Sequence, residues 1–332
     1  MSAANMTGRT LAMGEDEASD GARAMVDAPF GKALVRVAKD DPSIVGLTAD
    51  LGKYTDIHPF RDAFPDRFFN VGMAEQNLIA VAAGLARTGK TVFATTYGVF
   101  ASRRAYDFAA IACAHSDVDV KIVAGLPGLT TGYGGTHQAI EDLALMRMIP
   151  NLVVIDPCDA VEIEAATEAI AVHKGSVYMR LLRGQVPAVL PADYKFEIGR
   201  ARHLRDGTHV GIISTGLMTE RALDAAAVLG KRGISVGVLH VPTIKPFDAE
   251  AVVNFTAGAD HLVTAENHVV SGGLATLVAE ALFDAGQARP LTRIGLPDRF
   301  IECGSVPTLQ ARYGISLDAM IDRIGSLVKV AA

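Results

Sequence analysis

The hydrophobic positions along this chain form short apolar runs that alternate with stretches of helical spacing from about residue 29 onward. Short apolar runs bounded by turn residues indicate buried strands, and apolar residues three and four positions apart indicate helices. The predicted strands cover residues 44–47, 68–71, 91–95, 120–124, 151–155, 176–182, 210–214, 234–241, 261–265 and 291–294. The predicted helices cover residues 30–38, 74–86, 100–114, 160–172, 219–231, 249–255, 273–283 and 317–328. This alternation predicts an α/β fold with two doubly wound, mainly parallel-sheet three-layer domains.

The two series of elements are separated at residues 184–208, where prolines interrupt the pattern and charged residues become frequent. This segment is predicted to be a linker with some strand content. It separates a first domain of residues 25–183 from a second domain of residues 209–332. Residues 1–24 are rich in small and acidic residues without periodicity, which predicts a mobile N-terminal extension.

The composition is that of a globular protein, because half of the 332 residues are hydrophobic and a fifth are charged. The net charge of −6 offers no basic patch for nucleic acid, and no apolar run is long enough for a membrane helix. The N-terminus has no basic region followed by an apolar run, so no signal peptide is expected. Cys113, Cys158 and Cys303 are far apart and lack metal-site spacing, which favours reduced thiols and a cytoplasmic location.

The most informative motif is the sequence Asn-Val-Gly-Met-Ala-Glu-Gln-Asn-Leu at residues 70–78. It runs from a predicted strand through a glycine turn into a helix, where parallel sheets present functional groups. Glu75 falls in the first helical turn, and the helix dipole favours an acidic residue there in any protein. From its position alone, Glu75 is therefore either a helix-start carboxylate or a functional one.

Two further motifs follow predicted strands. Tyr97 and Phe100 close a threonine-rich strand and open a helix, and as an isolated pair they would be core aromatics. Residues 125–138 form a glycine-rich run that contains Tyr133 and His137. A phosphate cradle is one interpretation of this run, but it matches neither the phosphate-loop nor the dinucleotide fingerprint.

The motif around Glu75, together with residues 64–71 before it, resembles the transketolase and deoxyxylulose-phosphate synthase family. The resemblance covers residues 28–328. In that family the matching glutamate bonds N1′ of the aminopyrimidine of thiamine diphosphate and promotes loss of the proton on thiazolium C2. Buried carboxyl groups hold their proton more firmly, which suits this role. The resemblance therefore implies that Glu75 is a catalytic residue that activates the cofactor.

The resemblance also implies the other cofactor contacts. Tyr97 and Phe100 match the aromatic residues that stack on the aminopyrimidine ring. Asp50 matches a family acid near the cofactor. The Gly-Asp-Gly…Asn segment that binds Mg²⁺ and the diphosphate in this family does not occur here. We therefore expect thiamine diphosphate as cofactor, no metal ligand in this chain, and Mg²⁺ ligands on a diphosphate-binding partner subunit in an α2β2 complex.

On the substrate side, the resemblance implies that His137 faces the substrate, bonds its oxygens and moves protons near neutral pH. Family members grip a sugar phosphate with two Arg, a Ser and a His, and ungapped matching keeps one of these, Arg183. Two of the other positions fall near Asp27 and Tyr54. The family aspartate beside the donor hydroxyls is matched by Tyr133, which is expected to bind substrate.

By this resemblance, the first domain is the pyrimidine-binding domain and the second is the transketolase-like C-terminal domain. The implied reaction transfers a two-carbon ketol unit from a ketose donor to an aldehyde acceptor, with activity only in the presence of the partner. A decarboxylative carboligase, a 2-oxo acid dehydrogenase-type beta chain and a non-catalytic structural or regulatory paralogue remain alternatives. Residues 76–77, Gln-Asn, argue against the dehydrogenase type, and the intact Glu75 argues against a paralogue without activity.

Overall fold

The computed structural model describes residues 23–328. The predicted extension, residues 1–24, lies outside the described residues except for its last two. The strands of the first half are β1 (Met25–Asp27), β2 (Ile44–Thr48), β3 (Phe68–Asn70), β4 (Thr91–Tyr97), β5 (Val120–Gly125), β6 (Val153–Ile155), β7 (Val177–Leu181) and β8 (Gln185–Pro187). Its helices are α1 (Pro29–Asp40), α2 (His58–Ala63), α3 (Glu75–Ala86), α4 (Asp142–Arg147) and α5 (Ala160–Val172), with a 3-10 turn at Pro65–Arg67 and π-helices at Phe100–Arg104 and Phe108–Ala114.

The second half follows the same alternation. Its strands are β9 (Arg202–Arg205), β10 (Val210–Ser214), β11 (Val236–His240), β12 (Thr243–Lys245), β13 (His261–Val269) and β14 (Leu291–Leu296). Its helices are α6 (Met218–Lys231), α7 (Ala249–Thr256), α8 (Leu274–Asp284), α9 (Val306–Arg312) and α10 (Leu317–Gly325). Asp248, Ser305 and Ser316 start α7, α9 and α10, because their side chains accept a hydrogen bond from an otherwise unpaired amide of the first turn.

The first sheet has seven strands in the spatial order β12-β6-β7-β5-β4-β2-β3. All neighbours run parallel except β12, which is antiparallel to β6. Every residue of β2, β4, β5 and β7 is buried, as expected for a parallel sheet with helices on both faces. The chain passes from β2 to β3 on one side and then to β4 on the other, so the strand order switches beside β2.

The second sheet has five strands in the order β14-β13-β10-β11-β9, and only β9 runs antiparallel to its neighbour. The short strands β1 and β8 form a separate antiparallel pair. The predicted fold class, two doubly wound and mainly parallel α/β domains, is therefore confirmed. Within residues 23–328, no helix combines the length and apolar character needed to cross a membrane.

Several elements differ from the sequence prediction, among them the short helices α2 and α4, which no predicted helix covers. The predicted helix 100–114 is two π-helices, and the Ser102 hydroxyl donates to the Gly98 carbonyl oxygen at its start (2.7 Å), a contact that bends helices. Helix α9 was not predicted, and Pro307 lies in its first turn, where proline is tolerated. Strand β12 leaves the second half and pairs with β6 of the first sheet.

A buried polar network joins the two halves. Arg180 on β7 is 1% exposed, and its guanidinium binds the carboxylates of Asp142 and Asp156 (3.3 Å to Asp156). The same guanidinium donates to the carbonyl oxygen of Asn267 on β13 (3.3 Å). Because an unpaired buried charge destabilises a protein by several kcal/mol, each partner depends on the others. The network therefore fixes β13 against the first sheet.

His268, next to this network, is fully buried, and its Nε2 accepts a hydrogen bond from the Ala144 amide at α4 (3.2 Å). An imidazole accepts through Nε2 only in its neutral form. Burial, reinforced by the Arg180 guanidinium, lowers the pKa of His268 from 6.5 to about 4. The contact is therefore stable at neutral pH.

We expect His268→Phe to lower the free energy of unfolding at pH 8 by about 1–3 kcal/mol, because the Ala144 amide loses its acceptor. The unfolded chain protonates His268 near pH 6.5 and the folded chain near pH 4, so the contribution is full above pH 6.5 and is lost as pH falls towards 4. The deficit of the variant in urea unfolding should accordingly shrink at pH 5. His261→Phe, at the exposed start of the same strand, is the control. An equal deficit at both pH values would contradict this assignment.

Candidate active site

The predicted site residues converge at the carboxyl edge of the first sheet. Asp50 follows β2, Tyr97 closes β4, the glycine-rich run begins at the end of β5, and Arg183 follows β7. Parallel strands present these ends on one edge, and ligands of open α/β sheets bind where the strand order switches. The edge beside β2 is such a switch point, so the fold places the predicted residues where a ligand site is expected.

Glu75 is the first residue of α3 and is 3% exposed. Gly72 precedes it with φ 75°, a backbone conformation that favours glycine and turns the chain into the helix. Both carboxylate oxygens of Glu75 accept hydrogen bonds from Nη1 of Arg104, at 3.2 and 3.3 Å. The Arg104 guanidinium also lies 4.2 Å from the centroid of the Phe100 ring. A planar cation thus bridges the buried carboxyl group and an aromatic face.

The predicted aromatic residues form one cluster. The Tyr97 and Phe100 ring centroids are 5.9 Å apart with an interplanar angle of 36°. The His137 ring meets them edge-on, with its centroid 6.4 Å from that of Tyr97 and 5.5 Å from that of Phe100, and it contacts Tyr133 in the same way at 5.5 Å. Burial raises the pKa of Tyr97, so its hydroxyl stays protonated at neutral pH. The cluster therefore connects the surroundings of Glu75 to His137 and Tyr133.

Residues 125–138, the glycine loop, present Tyr133 and His137. Tyr133 is 62% exposed and His137 is half-buried, with its Nδ1 2.9 Å from the Thr136 hydroxyl. Arg103 donates to the carbonyl oxygen of Gly135 (2.8 Å) and also binds the carboxylate of Glu141. The loop is thus tied at its far end to the π-helix that follows Tyr97.

Arg183 follows β7 and lies at the carboxyl edge of the first sheet, near the opening of the candidate site. Its guanidinium carbon is 5.8 Å from the centroid of the Tyr54 ring. Tyr54 is 51% exposed and faces the same region as Tyr97 and Tyr133. The backbone after Arg183 is fixed by Asp56, whose buried carboxylate accepts a hydrogen bond from the Gly184 amide (2.6 Å). The Arg183 guanidinium and the phenol groups of Tyr54 and Tyr133 therefore border the opening.

Asp50 is exposed and has a left-handed backbone, φ 59°. It exchanges two hydrogen bonds with Asn70, one from its own amide to Asn70 Oδ1 (3.0 Å) and one from Asn70 Nδ2 to its carboxylate (2.8 Å). Asn70 Oδ1 also accepts from the Gly72 amide (3.0 Å). Asp50 therefore ties the end of β2 to the turn that starts α3, and its side chain is bonded to Asn70 rather than to the aromatic cluster.

Sequence reasoning did not assign a site role to several residues that border the site. Arg104 belongs to an Arg-Arg pair that follows the aromatic motif in the sequence. It lies in the π-helix Phe100–Arg104, and its hydrogen bonds to Glu75 depend on that π-helical turn. Phe300 comes from the second domain, and its ring centroid is 5.6 Å from the Arg103 guanidinium. No local pattern indicates this contact, because it joins residues almost two hundred positions apart.

One group of three potential metal ligands occurs among residues 23–328, and it lies away from this edge. Cys158, Glu162 and His240 are buried together. Glu162 accepts hydrogen bonds from His240 Nε2 (2.7 Å) and from the Tyr194 hydroxyl (2.6 Å), so its carboxylate is already engaged. Thiol and imidazole groups are poor ligands for Mg²⁺, which prefers oxygen. This group is therefore a hydrogen-bonded part of the core.

In the comparison with known proteins, each half of the chain matches a family model. The family model described as the transketolase pyrimidine binding domain matches residues 23–188, and the model described as the transketolase C-terminal domain matches residues 199–320. A transketolase family protein of Sinorhizobium fredii is 57% identical over 300 residues, which span 90% of this chain and 87% of the relative. A 6-deoxy-6-sulfo-D-fructose transketolase subunit of Clostridium sp. is 40% identical over 289 residues, with 87% and 89% covered.

A longer relative and two solved structures complete the comparison. A 1-deoxy-D-xylulose-5-phosphate synthase of Syntrophotalea carbinolica is 36% identical over 309 residues, and this chain spans 49% of its length. A split-gene transketolase, solved as an inactive β4 tetramer, superposes with a TM-score of 0.84 at 40% identity, with 92% of this chain and 98% of that chain covered. The transketolase of Campylobacter jejuni, at 20% identity and a TM-score of 0.76, shares the fold over 91% of this chain and 47% of its own. The chain belongs to the transketolase family.

Proposed function

We propose that this chain is the pyrimidine-binding subunit of a split, thiamine-diphosphate-dependent transketolase. With a second subunit it transfers a two-carbon ketol unit from a ketose to an aldehyde. The observation that most supports this function is the buried carboxyl group of Glu75 at the start of α3, which Arg104 links to the ring of Phe100. The Clostridium relative, a subunit of a sulfofructose transketolase, and the split-gene structure support the division into two chains.

The residues present fit the aminopyrimidine end of the cofactor. The Arg104 guanidinium is planar and rich in N–H groups, and it contacts the Glu75 carboxylate and the Phe100 face at the same time. An aminopyrimidine ring requires the same two contacts, a carboxyl group at a ring nitrogen and an aromatic face for stacking. Arg104 is half-exposed, so its side chain is able to move aside.

When bound, thiamine diphosphate supplies the nucleophilic carbon that allows a carbon–carbon bond beside a ketone to break and form. In this proposal Glu75 holds a proton at N1′ of the pyrimidine, and Tyr97 and Phe100 hold the ring in place. His137 bonds the substrate oxygens and moves a proton there. In this proposal Asp50 acts next to the cofactor, where its hydrogen bond to Asn70 holds the turn that precedes α3.

The residues that border the opening of the site are the candidates for contacts to the substrate. We assign Arg183 and Tyr133 to the part of the ketose away from the reacting carbons, since both border the opening. The proposal places the cofactor contacts of this chain in residues 25–183, with 184–208 as linker and 209–332 as the C-terminal domain. It also assigns the ligands of Mg²⁺ and of the diphosphate to the partner subunit, in an α2β2 assembly. The three unpaired thiols favour a cytoplasmic location.

A decarboxylative carboligase is the second candidate. Residues 104–107, Arg-Ala-Tyr-Asp, resemble the synthase branch of the family, and synthases are among the relatives. The two reactions are separated by their donors, because the carboligase consumes pyruvate and releases carbon dioxide. A reconstituted complex that forms carbon dioxide from pyruvate and leaves ketoses unchanged would favour this second function.

We expect the isolated chain to bind thiamine diphosphate at least about 100-fold more weakly than the reconstituted complex, because the charge-assisted contacts to the diphosphate are absent. Isothermal titration calorimetry with Mg²⁺ present measures this difference. Magnesium diphosphate alone serves as the control and should give no heat with this chain. Equal affinity with and without the second subunit would contradict the split-site proposal.

We expect Glu75→Ala to slow hydrogen–deuterium exchange at C2 of the bound cofactor by orders of magnitude in the reconstituted complex, while the chain stays folded. The reason is that the carboxyl group sets the protonation of the pyrimidine. Glu250→Ala, which removes an exposed acid from the first turn of α7, is the control and should leave the NMR-measured exchange unchanged. An exchange rate unaffected by Glu75→Ala would reduce Glu75 to a helix-start residue.

We expect the complex to use ketoses without a phosphate ester at least as well as xylulose 5-phosphate. Arg183 borders the opening together with phenol groups, and ungapped matching puts Asp27, an acid, near a position where the resemblance implies a second arginine. Each lost charge-assisted bond weakens phosphate binding by about 1.5–3 kcal/mol. Measured kcat/KM values for phosphorylated and unphosphorylated donors test this, and a preference of about 100-fold or more for the phosphate ester would contradict it.

A further inference from the structure

The glycine loop packs closely against the second domain, which occupies most of the space that side chains on its glycines would need. A Cβ atom on four of its glycines would lie 2.2 to 3.1 Å from an atom of the second domain. The pairs are Gly128 with Asn267, Gly132 with the Gly304 carbonyl oxygen, Gly134 with the Cys303 sulfur, and Gly135 with the Phe300 ring. Real Cβ atoms do not approach other atoms below about 3 Å, so a Cβ on Gly128, Gly132 or Gly134 would require its neighbour to move, whereas a Cβ on Gly135 would make a tight contact with the Phe300 ring.

Hydrogen bonds from the second domain hold the same loop. The Asn267 side chain accepts from the Leu129 amide (2.9 Å), and the Gln310 side chain donates to the Leu129 carbonyl oxygen (2.9 Å). Both amide side chains are at most 3% exposed. Further along, the Gly304 amide donates to the Gly132 carbonyl oxygen (3.0 Å). The second domain therefore binds the loop backbone at both residues 127–129 and residues 132–135.

The two sets of contacts differ in position. Asn267 and Gln310 hold the buried beginning of the loop, whereas residues 300–304, the bracing segment, touch the glycines on either side of Tyr133 and just before His137. The Phe300 ring also lies against Arg103, which donates to the Gly135 carbonyl oxygen. The bracing segment is thus the part of the second domain that bears on the residues assigned to the substrate.

We propose that the bracing segment positions Tyr133 and His137, and that the second domain thereby sets the affinity of the site for the ketose. Phe300 and Cys303 act through the glycine loop and are positioning residues. The Glu75 end of the site, which is separated from the bracing segment by the aromatic cluster, does not depend on them. This inference rests on the proposed function of His137 and Tyr133. The first test below is independent of that function, because it measures only the glycine loop in the isolated chain.

The first test uses Phe300→Ala in this chain alone, with Phe283→Ala as the matched control. Both phenylalanines belong to the second domain and are equally exposed, 74% and 75%, and Phe283 lies on α8. Hydrogen–deuterium exchange followed by mass spectrometry should show faster exchange in residues 129–138 for Phe300→Ala and wild-type exchange for Phe283→Ala. Unchanged exchange in Phe300→Ala would overturn the proposal, whatever the reaction of the enzyme.

The second test uses the reconstituted complex. Phe300→Ala should lower kcat/KM for the ketose about tenfold, mainly through KM, and leave cofactor C2 exchange and the affinity of the two subunits unchanged. A loss of subunit affinity with a normal ketose KM would overturn the proposal and make Phe300 a subunit contact. If wild-type complex turns over no ketose, the proposed function fails while the exchange test still decides whether the segment braces the loop.

The third test is a double-mutant cycle between Gly135 and Phe300. Gly135 does not have a positive φ, so alanine is compatible with its backbone, and its Cβ would lie 3.1 Å from the Phe300 ring. Gly135→Ala should lower kcat/KM for the ketose about tenfold in the presence of Phe300 and less than about twofold in the Phe300→Ala background. Additive effects in the two backgrounds would overturn the proposal, because they would show that the two residues act independently.

Discussion

The fixed relation between the two halves depends on the buried guanidinium of Arg180. Its partners belong to three elements of different origin, because Asp142 starts α4, Asp156 follows β6 and Asn267 lies on β13 of the second sheet. Removal of the Arg180 guanidinium would leave the buried carboxylates of Asp142 and Asp156 without their shared cation, which costs about 3–5 kcal/mol. The network therefore does more than add stability, since it restricts the two sheets to one arrangement.

That arrangement brings Asn267 against the beginning of the glycine loop. The backbone carbonyl oxygen of Asn267 accepts a hydrogen bond from Arg180, and its side-chain oxygen accepts one from the Leu129 amide. The interdomain network and the glycine loop are therefore both bonded to this residue. Strand β12 adds a second connection, since it belongs to the second half and completes the first sheet. The second domain is therefore a structural part of the site edge, although Glu75, Tyr97 and Phe100 all come from the first half.

The sequence predicted the parallel strands and the main helices because each depends on local periodicity. Strand β10 and helix α5 agree with their predicted bounds, and Glu75 lies in the first turn of α3 as predicted. The resemblance carried by residues 70–78 led to the family. The contacts of Phe300 and Arg104 were not predictable in this way, because one joins two domains and the other depends on a π-helical turn.

The glycines of the loop show where a local pattern does contain long-range information. When only the sequence is considered, four glycines within eight residues suggest a phosphate cradle. Of these four, only Gly128 and Gly134 have a positive φ, whereas at Gly132 a backbone oxygen of the second domain occupies the space of a side chain and at Gly135 the Phe300 ring crowds it. A glycine that its own backbone does not require indicates a close neighbour, and here that neighbour is the second domain. The loop that presents His137 and Tyr133 is therefore specified by two distant segments together, and neither segment alone determines its conformation.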